Sequence, residues 1–188
     1  KDKFDALKIS KYKEFIHFGL TSQDINNTAI PLSIKEAISA VYTPEYKSLI
    51  ECLKGLADEW SEIALLARTH GQPASPTRLG KEIEVFITRL EAQFKSINSI
   101  PNAAKFGGAT GNFNAHKVAY PNINWQAFAN EFLKDKLDLD HSFPTTQIEH
   151  YDHMAGLFDT LKRINTIIID RVINKPMKGI GIQFFFYF

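Results

Sequence analysis

The stretch LGKEIEVFITRLEAQFKSI (Leu79–Ile97) places apolar side chains at Leu79, Ile83, Phe86, Leu90, Phe94 and Ile97. Every step is three or four residues, the spacing of one face of an α-helix. The same spacing recurs on both sides. Upstream, Leu49, Leu53, Leu56, Trp60, Ile63 and Leu66 form a second stripe. Further upstream, apolar positions from Ile30 continue through Ile34, Ile38 and Val41. Downstream, Tyr151, Met154, Phe158, Leu161, Ile164 and Ile168 form another, with a shorter helical candidate from Trp125 to Leu137. Three of these stripes cover roughly 20 residues or more, against a mean of about 11–12 for globular helices. Long amphipathic helices of this kind pack as near-parallel bundles, and no strand-like alternation interrupts them. The chain therefore reads as all-α.

Several local signals refine this reading. Thr43-Pro44-Glu45 predicts a helix start, with threonine as cap and proline in the first turn. Pro31 must lie in a first turn or kink its helix. Residues 102–120 hold Gly107, Gly108 and Gly111 with little periodicity, which predicts a short irregular or β-hairpin-like insertion. Cys52 sits amid a stripe and reads as a small core residue.

Composition narrows the function classes. The 188 residues are 44% hydrophobic and 23% charged, enough for a core. Twenty-two basic residues face 21 acidic ones, and this near-neutral balance argues against a nucleic-acid-coating surface. One cysteine allows no internal disulfide, which fits a reducing, cytoplasmic setting. No apolar run approaches the roughly 20 residues of a membrane-spanning helix, and Lys1–Lys13 does not fit a signal peptide.

Two segments concentrate chemistry. In His17-Phe18-Gly19-Leu20-Thr21-Ser22-Gln23-Asp24, Thr21 and Asp24 have capping-box spacing ahead of an apolar run. The plain reading is a helix N-cap. The sharper one, compatible with it, is an anion site built from free N–H groups and two hydroxyls. The second segment, Arg68-Thr69-His70-Gly71-Gln72-Pro73-Ala74-Ser75-Pro76-Thr77, joins two stripes. A plain connection needs Gly, Pro and a cap, but not Arg, His and Gln as well. His70 suits proton transfer near neutral pH. His150 and His153 stand three apart, but a zinc site needs three or four ligands and no further cluster supplies them. His141 reads as solvated, and neither a P-loop nor a dinucleotide fingerprint is present.

HFGLTSQDINNTA (His17–Ala29), LARTHGQPASPTRLGKE (Leu66–Glu82), FGGATGNFNAHKVAYP (Phe106–Pro121) and TTQIEHYDHMAGLFDTLKRINTIIID (Thr145–Asp170) together resemble the adenylosuccinate lyases of the fumarase/aspartase superfamily. The resemblance covers about residues 4–170 and implies the long-helix bundle of that superfamily, here as a central helical domain over residues 1–170. It implies elimination of fumarate from adenylosuccinate and from the succinyl-aminoimidazole-carboxamide nucleotide of purine biosynthesis, with no cofactor and no metal. His70 matches the family's general acid. Thr21, Ser22, Thr69, Gln72 and Gln147 match substrate-binding positions, and Asn112 and His116 lie in a matched segment. A homotetramer with shared active sites is implied as well, with Thr21/Ser22, His70 and Gln147 converging only between neighbouring chains.

The family's serine base, in an SSxMPxKxNP-type loop, has no counterpart in this sequence, so the chain reads as a fragment, inactive by itself. Residues 171–188, ending Gln183-Phe184-Phe185-Phe186-Tyr187-Phe188, read as a tail without a family counterpart. Pro176 should end the last helix, and the apolar ending calls for a covering partner. Two rivals stand beside this reading: another lyase of the superfamily, and a noncatalytic helical oligomerisation module.

Overall fold

The computed structural model of the chain describes residues 1–173, with side chains to Asp170. The expectations for the tail, including Pro176 and Phe184–Phe188, lie outside the described residues. Along the chain run α1 (Asp2–Ala6), a 3-10 segment (Ser10–His17), α2 (Ser22–Ala37), a π-helical turn (Ile38–Tyr42), α3 (Thr43–Glu59), β1 (Ala64–Thr69), β2 (Gln72–Arg78) and α4 (Leu79–Ile97). Then follow β3 (Ala103–Ala104), α5 (Asn114–Ala119), α6 (Trp125–Glu131), a second π-helical turn (Phe132–Lys136), β4 (Asp140–His141) and α7 (Asp152–Ile173). The described residues form two compact units: Lys1–Ser39 with Pro101–Ala155, and Ala40–Ile100 with residues 156–173.

In the second unit, α3 packs on α4. α3 buries Tyr46, Ile50, Leu53 and Ala57, and α4 buries Leu79, Ile83, Ile87, Leu90 and Ile97. Burying one such aliphatic side chain stabilises by about 1.5–3 kcal/mol before conformational entropy is counted. α7 contributes Leu157, Ile164 and Ile167 to the buried set. Its Arg163 donates to Gln93 on α4 at 2.8 Å, and Arg89 donates to Asp170 at 2.8 Å.

Between α3 and α4 stands an antiparallel hairpin, β1 on β2, where the stripe ending at Ile63 and Leu66 predicted continuing helix. The helix stops at Glu59, and carbonyls just beyond its end find donors at the start of α4. Trp60 accepts from the Gly80 N–H and Ile63 from the Leu79 N–H, both at 3.0 Å. Gly80 allows this, because a Cβ there would collide with the Ala57 carbonyl and stand 2.9 Å from Ser61 Cα.

In the first unit α2 buries Asp24, Asn27 and Pro31, two of the three polar. β3 and β4 form a two-residue parallel ladder pairing Ala103 with Asp140 and Ala104 with His141. One apolar cluster gathers Ala104, Leu133 and Leu139, and a second gathers Phe113, Trp125 and Ala129, with Phe106 packed against both. The irregular form of the insertion near residues 102–120 is what is observed, closed by the short helix α5. The hairpin lies at residues 64–78 instead.

Other expectations need correction. Thr43 is not a cap: Tyr42 before it is helical (φ −62°, ψ −45°), so the backbone enters α3 from the π-helical turn already wound. Of the two alternatives for Pro31, the first turn is excluded, since the proline is buried well inside α2. Cys52 is exposed, because the buried positions of α3 fall at Ile50 and Leu53 on either side of it. Phe158, assigned to the apolar stripe of α7, is exposed, and Leu157 beside it is buried.

Candidate functional site

The start of α2 is the meeting point of three segments distant in sequence. Thr21 caps the helix in extended conformation (φ −106°, ψ 165°), and the Asp24 carboxylate reaches back to accept from the Thr21 N–H at 2.8 Å. That is the reciprocal half of a capping box, with Asp in place of Glu. The same carboxylate accepts from the Gly107 N–H at 2.9 Å and the Gly108 N–H at 3.1 Å. It also pairs with the Lys105 ammonium at 2.7 Å, and Asp24 and Lys105 are both fully buried. Such a pair is stable only where its remaining donors and acceptors are satisfied. Here the Lys105 ammonium also donates to the Gly108 carbonyl. Asp24 thus ties the glycine loop to the helix start.

The third segment arrives through Gly111 and Gln147. Gly111 (φ +77°) lies so close to the Thr145 and Thr146 carbonyls that a Cβ would stand 2.7 Å from the second and nearer still to the first. Gln147 then donates through Nε2 to the Thr21 hydroxyl at 3.4 Å. Asn27 fixes the same strand of chain from beneath: its Oδ1 accepts from the Glu149 N–H at 2.9 Å, and its amide donates to the Tyr151 hydroxyl. The Glu149 carboxylate accepts from Ser142 at 3.0 Å.

The cluster therefore presents a half-buried Thr21 and exposed Ser22, Asn112 and Gln147 over a buried, charge-paired floor. A helix start with exposed hydroxyl and amide groups is suited to receive a carboxylate. Thr21 and Gln147 meet within one chain, which corrects the expectation that they converge only between chains.

His116 is also in this unit, but not on its surface. It is 1% exposed, enclosed by Phe18, Phe106, Phe113 and Trp125. Neither ring nitrogen finds a hydrogen-bond partner of good geometry. Burial pushes its pKa below the ordinary histidine value. Asp24 and the nearby Phe18 backbone oppose that shift without reversing it. A ring so enclosed cannot touch a ligand, which corrects its assignment as a substrate-binding residue.

In the other unit, His70 and Gly71 form the two-residue tip of the β1–β2 hairpin, between the paired residues Thr69 and Gln72. Both are left-handed (φ +47° and +81°), the pattern of a type I′ turn. Arg68 braces the tip by donating to the Gly71 carbonyl at 3.3 Å. Thr69, His70 and Gln72 are all exposed. The arrangement holds the imidazole out on a short, stiff support, available to a ligand or a partner.

Lys105, Asn27 and Glu149, which set the cluster's floor, carry no motif that singles them out in sequence. Asp24 is legible only as a cap. His150 bonds the Pro144 carbonyl at 3.2 Å. Among the described residues no group of three ligating side chains could hold a metal ion, and no helix is long and apolar enough to cross a membrane.

Over residues 4–172 the chain matches the sequence profile of a family described as lyase. It is 59% identical over 160 residues to the adenylosuccinate lyase of Dictyostelium discoideum, covering 84% of this chain and 34% of that protein. It is 46% identical over 171 residues to the adenylosuccinate lyase of Vibrio cholerae, covering 90% of this chain and 38% of that one. The chain thus spans about a third of the length of these curated relatives. Among solved structures, the fumarate lyase from Mesorhizobium sp. BNC1 superposes with a TM-score of 0.72 at 19% identity, covering 92% of this chain and 43% of that one. The β-carboxy-cis,cis-muconate cycloisomerase from Acinetobacter calcoaceticus sp. ADP1 gives the same TM-score at 22% identity, covering 90% of this chain and 38% of its own. These two likenesses establish a shared helical fold.

Proposed function

Because this chain belongs to the lyase family, we propose that it supplies part of the active site of an adenylosuccinate lyase. The substrate is a succinyl group joined through nitrogen to a purine nucleotide or its imidazole precursor. A base takes a proton from the succinyl carbon next to a carboxylate, the C–N bond breaks, and fumarate leaves. The freed nitrogen takes a proton in return. No residue of this chain is assigned as the base.

The roles follow from the chemistry. Proton loss beside a carboxylate moves negative charge onto it, and preorganised donors stabilise that charge. Thr21 and Ser22 at the start of α2 are such donors, with Gln147 beside them and Asn112 on the glycine loop that Asp24 ties to the same helix start. His70 is the general acid for the leaving nitrogen, with Thr69 and Gln72 around it. The observation that carries the reading is the contact of Gln147 with Thr21, residues 126 apart in sequence. It brings the Gln147 amide to the Thr21 hydroxyl beside the paired charges of Asp24 and Lys105, which supports a shared role for the two residues in binding substrate.

The proposed assembly is a homotetramer whose active sites take segments from more than one chain. Apolar side chains left exposed on the helices, among them Ile30, Val41, Val85 and Phe158, support burial between copies. A cytoplasmic location fits a nucleotide substrate and an exposed, unpaired Cys52.

The test is fumarate release from adenylosuccinate, the imidazole analogue and argininosuccinate by a full-length enzyme carrying this segment and by its His70→Ala variant, the 188-residue chain alone being expected to release none. The reading expects turnover of the first two substrates only, reduced by about 10²–10⁴ in the variant with assembly intact. Normal turnover in His70→Ala removes His70 from the mechanism. A preference for argininosuccinate moves the protein to another lyase of the superfamily, and an oligomer that binds no succinyl nucleotide makes it a noncatalytic module.

A further inference from the structure

Both glycine turns of the cluster rest on one buried ring. Gly19 (φ +65°) presses so closely on His116 that a Cβ there would stand 2.6 Å from both Cε1 and Nε2. Gly108 (φ +75°) lies on the same ring, its Cβ position 3.8 Å from Cε1 and 3.1 Å from the Gly19 carbonyl oxygen. Two residues after Gly19 comes Thr21. The Gly108 N–H is held by Asp24, and the loop runs on to Asn112. Trp125 supports the ring at 4.8 Å between centroids and Phe18 edge-on at 5.5 Å, with Phe106 and Phe113 at 5.7 and 5.9 Å. The charged groups facing the ring are Asp24 and Lys105, paired with each other. His116 therefore acts on its surroundings by shape.

We infer that His116 is a positioning residue: its ring sets the spacing of the Gly19 and Gly108 turns, and through them the placement of Thr21, Ser22 and Asn112 around one substrate. This rests on the lyase reading above. A planar ring of this thickness is what the two turns require. A smaller side chain leaves a gap into which they slide, and displacements of about 1 Å at a reacting site lower rates by up to 10²-fold.

The test compares His116→Phe and His116→Ala in the full-length enzyme carrying this segment by two readouts. The first is kcat/KM for adenylosuccinate. It should fall on the order of tenfold or more in His116→Ala and return towards the wild-type value in His116→Phe. The second is amide hydrogen exchange at Gly107 and Gly108, which should quicken in His116→Ala and slow again in His116→Phe. Unchanged values in His116→Ala overturn the inference. So does a His116→Phe variant as impaired as His116→Ala, which would assign the role to a ring nitrogen. If the wild-type protein turns over no succinyl nucleotide, the lyase reading fails while amide exchange still decides the positioning role. Should His116→Ala not fold, Gly19→Ala drives a methyl group into the ring from the other side. It should impair both readouts, and no effect there overturns the inference.

Discussion

The backbone carbonyl of Asn27 accepts a hydrogen bond from the Lys105 N–H at 3.2 Å. Inside a helix that carbonyl would serve the residue four positions on, but that residue is Pro31, which has no N–H. The proline thus frees an acceptor in mid-helix, and the glycine loop docks on it. The Asn27 side chain meanwhile holds Glu149 and Tyr151. Asn27→Ala strands the Glu149 N–H and the Tyr151 hydroxyl. It should destabilise the chain by about 1–3 kcal/mol for each group left buried without a partner. Urea unfolding measures this. A loss below about 0.5 kcal/mol would mean that water replaces both bonds.

The buried pair of Asp24 and Lys105 makes a different prediction. Removing one partner leaves an uncompensated charge in the interior. Lys105→Met and Asp24→Asn should therefore each destabilise by about 3–5 kcal/mol. The double variant removes both charges and keeps an amide oxygen for the Gly107 or Gly108 N–H, so its loss should fall well short of the sum. A loss in the double variant equal to the sum of the two single losses in urea unfolding would show that the two side chains act independently.

How far the sequence discloses this arrangement differs by element. The stripe over Leu79–Ile97 is the helix α4, and four of its six marked positions are buried. The Trp125–Leu137 candidate is α6 with the π-helical turn that follows it, and the Thr21/Asp24 spacing is a working cap. The hairpin is hidden for a physical reason. Most of β1 and β2 is exposed, so no buried face imposes alternation, and Ile63 and Leu66 fall by chance on the helical step. Within α7 the helix is legible, but the buried line passes through Leu157, Thr160, Ile164 and Ile167, because apolar spacing alone cannot choose between adjacent faces. The segments around the site are legible as residue types. What joins them is not, since Lys105, Asn27 and Glu149 act through long-range hydrogen bonds that leave no periodic trace.

Gly71 is the position at which the His70 support is most sensitive. Its φ of +81° favours glycine, and a Cβ there adds strain of about 1–2 kcal/mol although the space around it is open. In the full-length enzyme carrying this segment, Gly71→Ala should loosen the tip and lower turnover, with helical circular dichroism and the urea midpoint little changed. Gly71→Asn, better suited to left-handed backbone, should retain more activity than Gly71→Ala. Equal activity in all three proteins would show that the imidazole does not depend on a rigid turn.

Acid should weaken the fold before the carboxylates titrate. His116 and His141 are both held below the ordinary histidine pKa, chiefly by burial. In the unfolded chain each takes a proton near pH 6.5, whereas in the fold each resists it to lower pH. Between those limits the unfolded state binds more protons, so stability rises with pH. The contribution is complete above about pH 6.5 and is lost as the pH falls toward the folded pKa values. Asp5, Asp138, Asp159 and Glu82, all with lowered pKa, act in a separate window below about pH 4.5. Urea midpoints measured from about pH 7.5 down to pH 5 should therefore decline. His116→Phe should flatten part of that decline, and His116→Phe combined with His141→Phe most of it. A wild-type midpoint constant across this range would show that neither ring stays neutral in the fold while its unfolded counterpart is protonated.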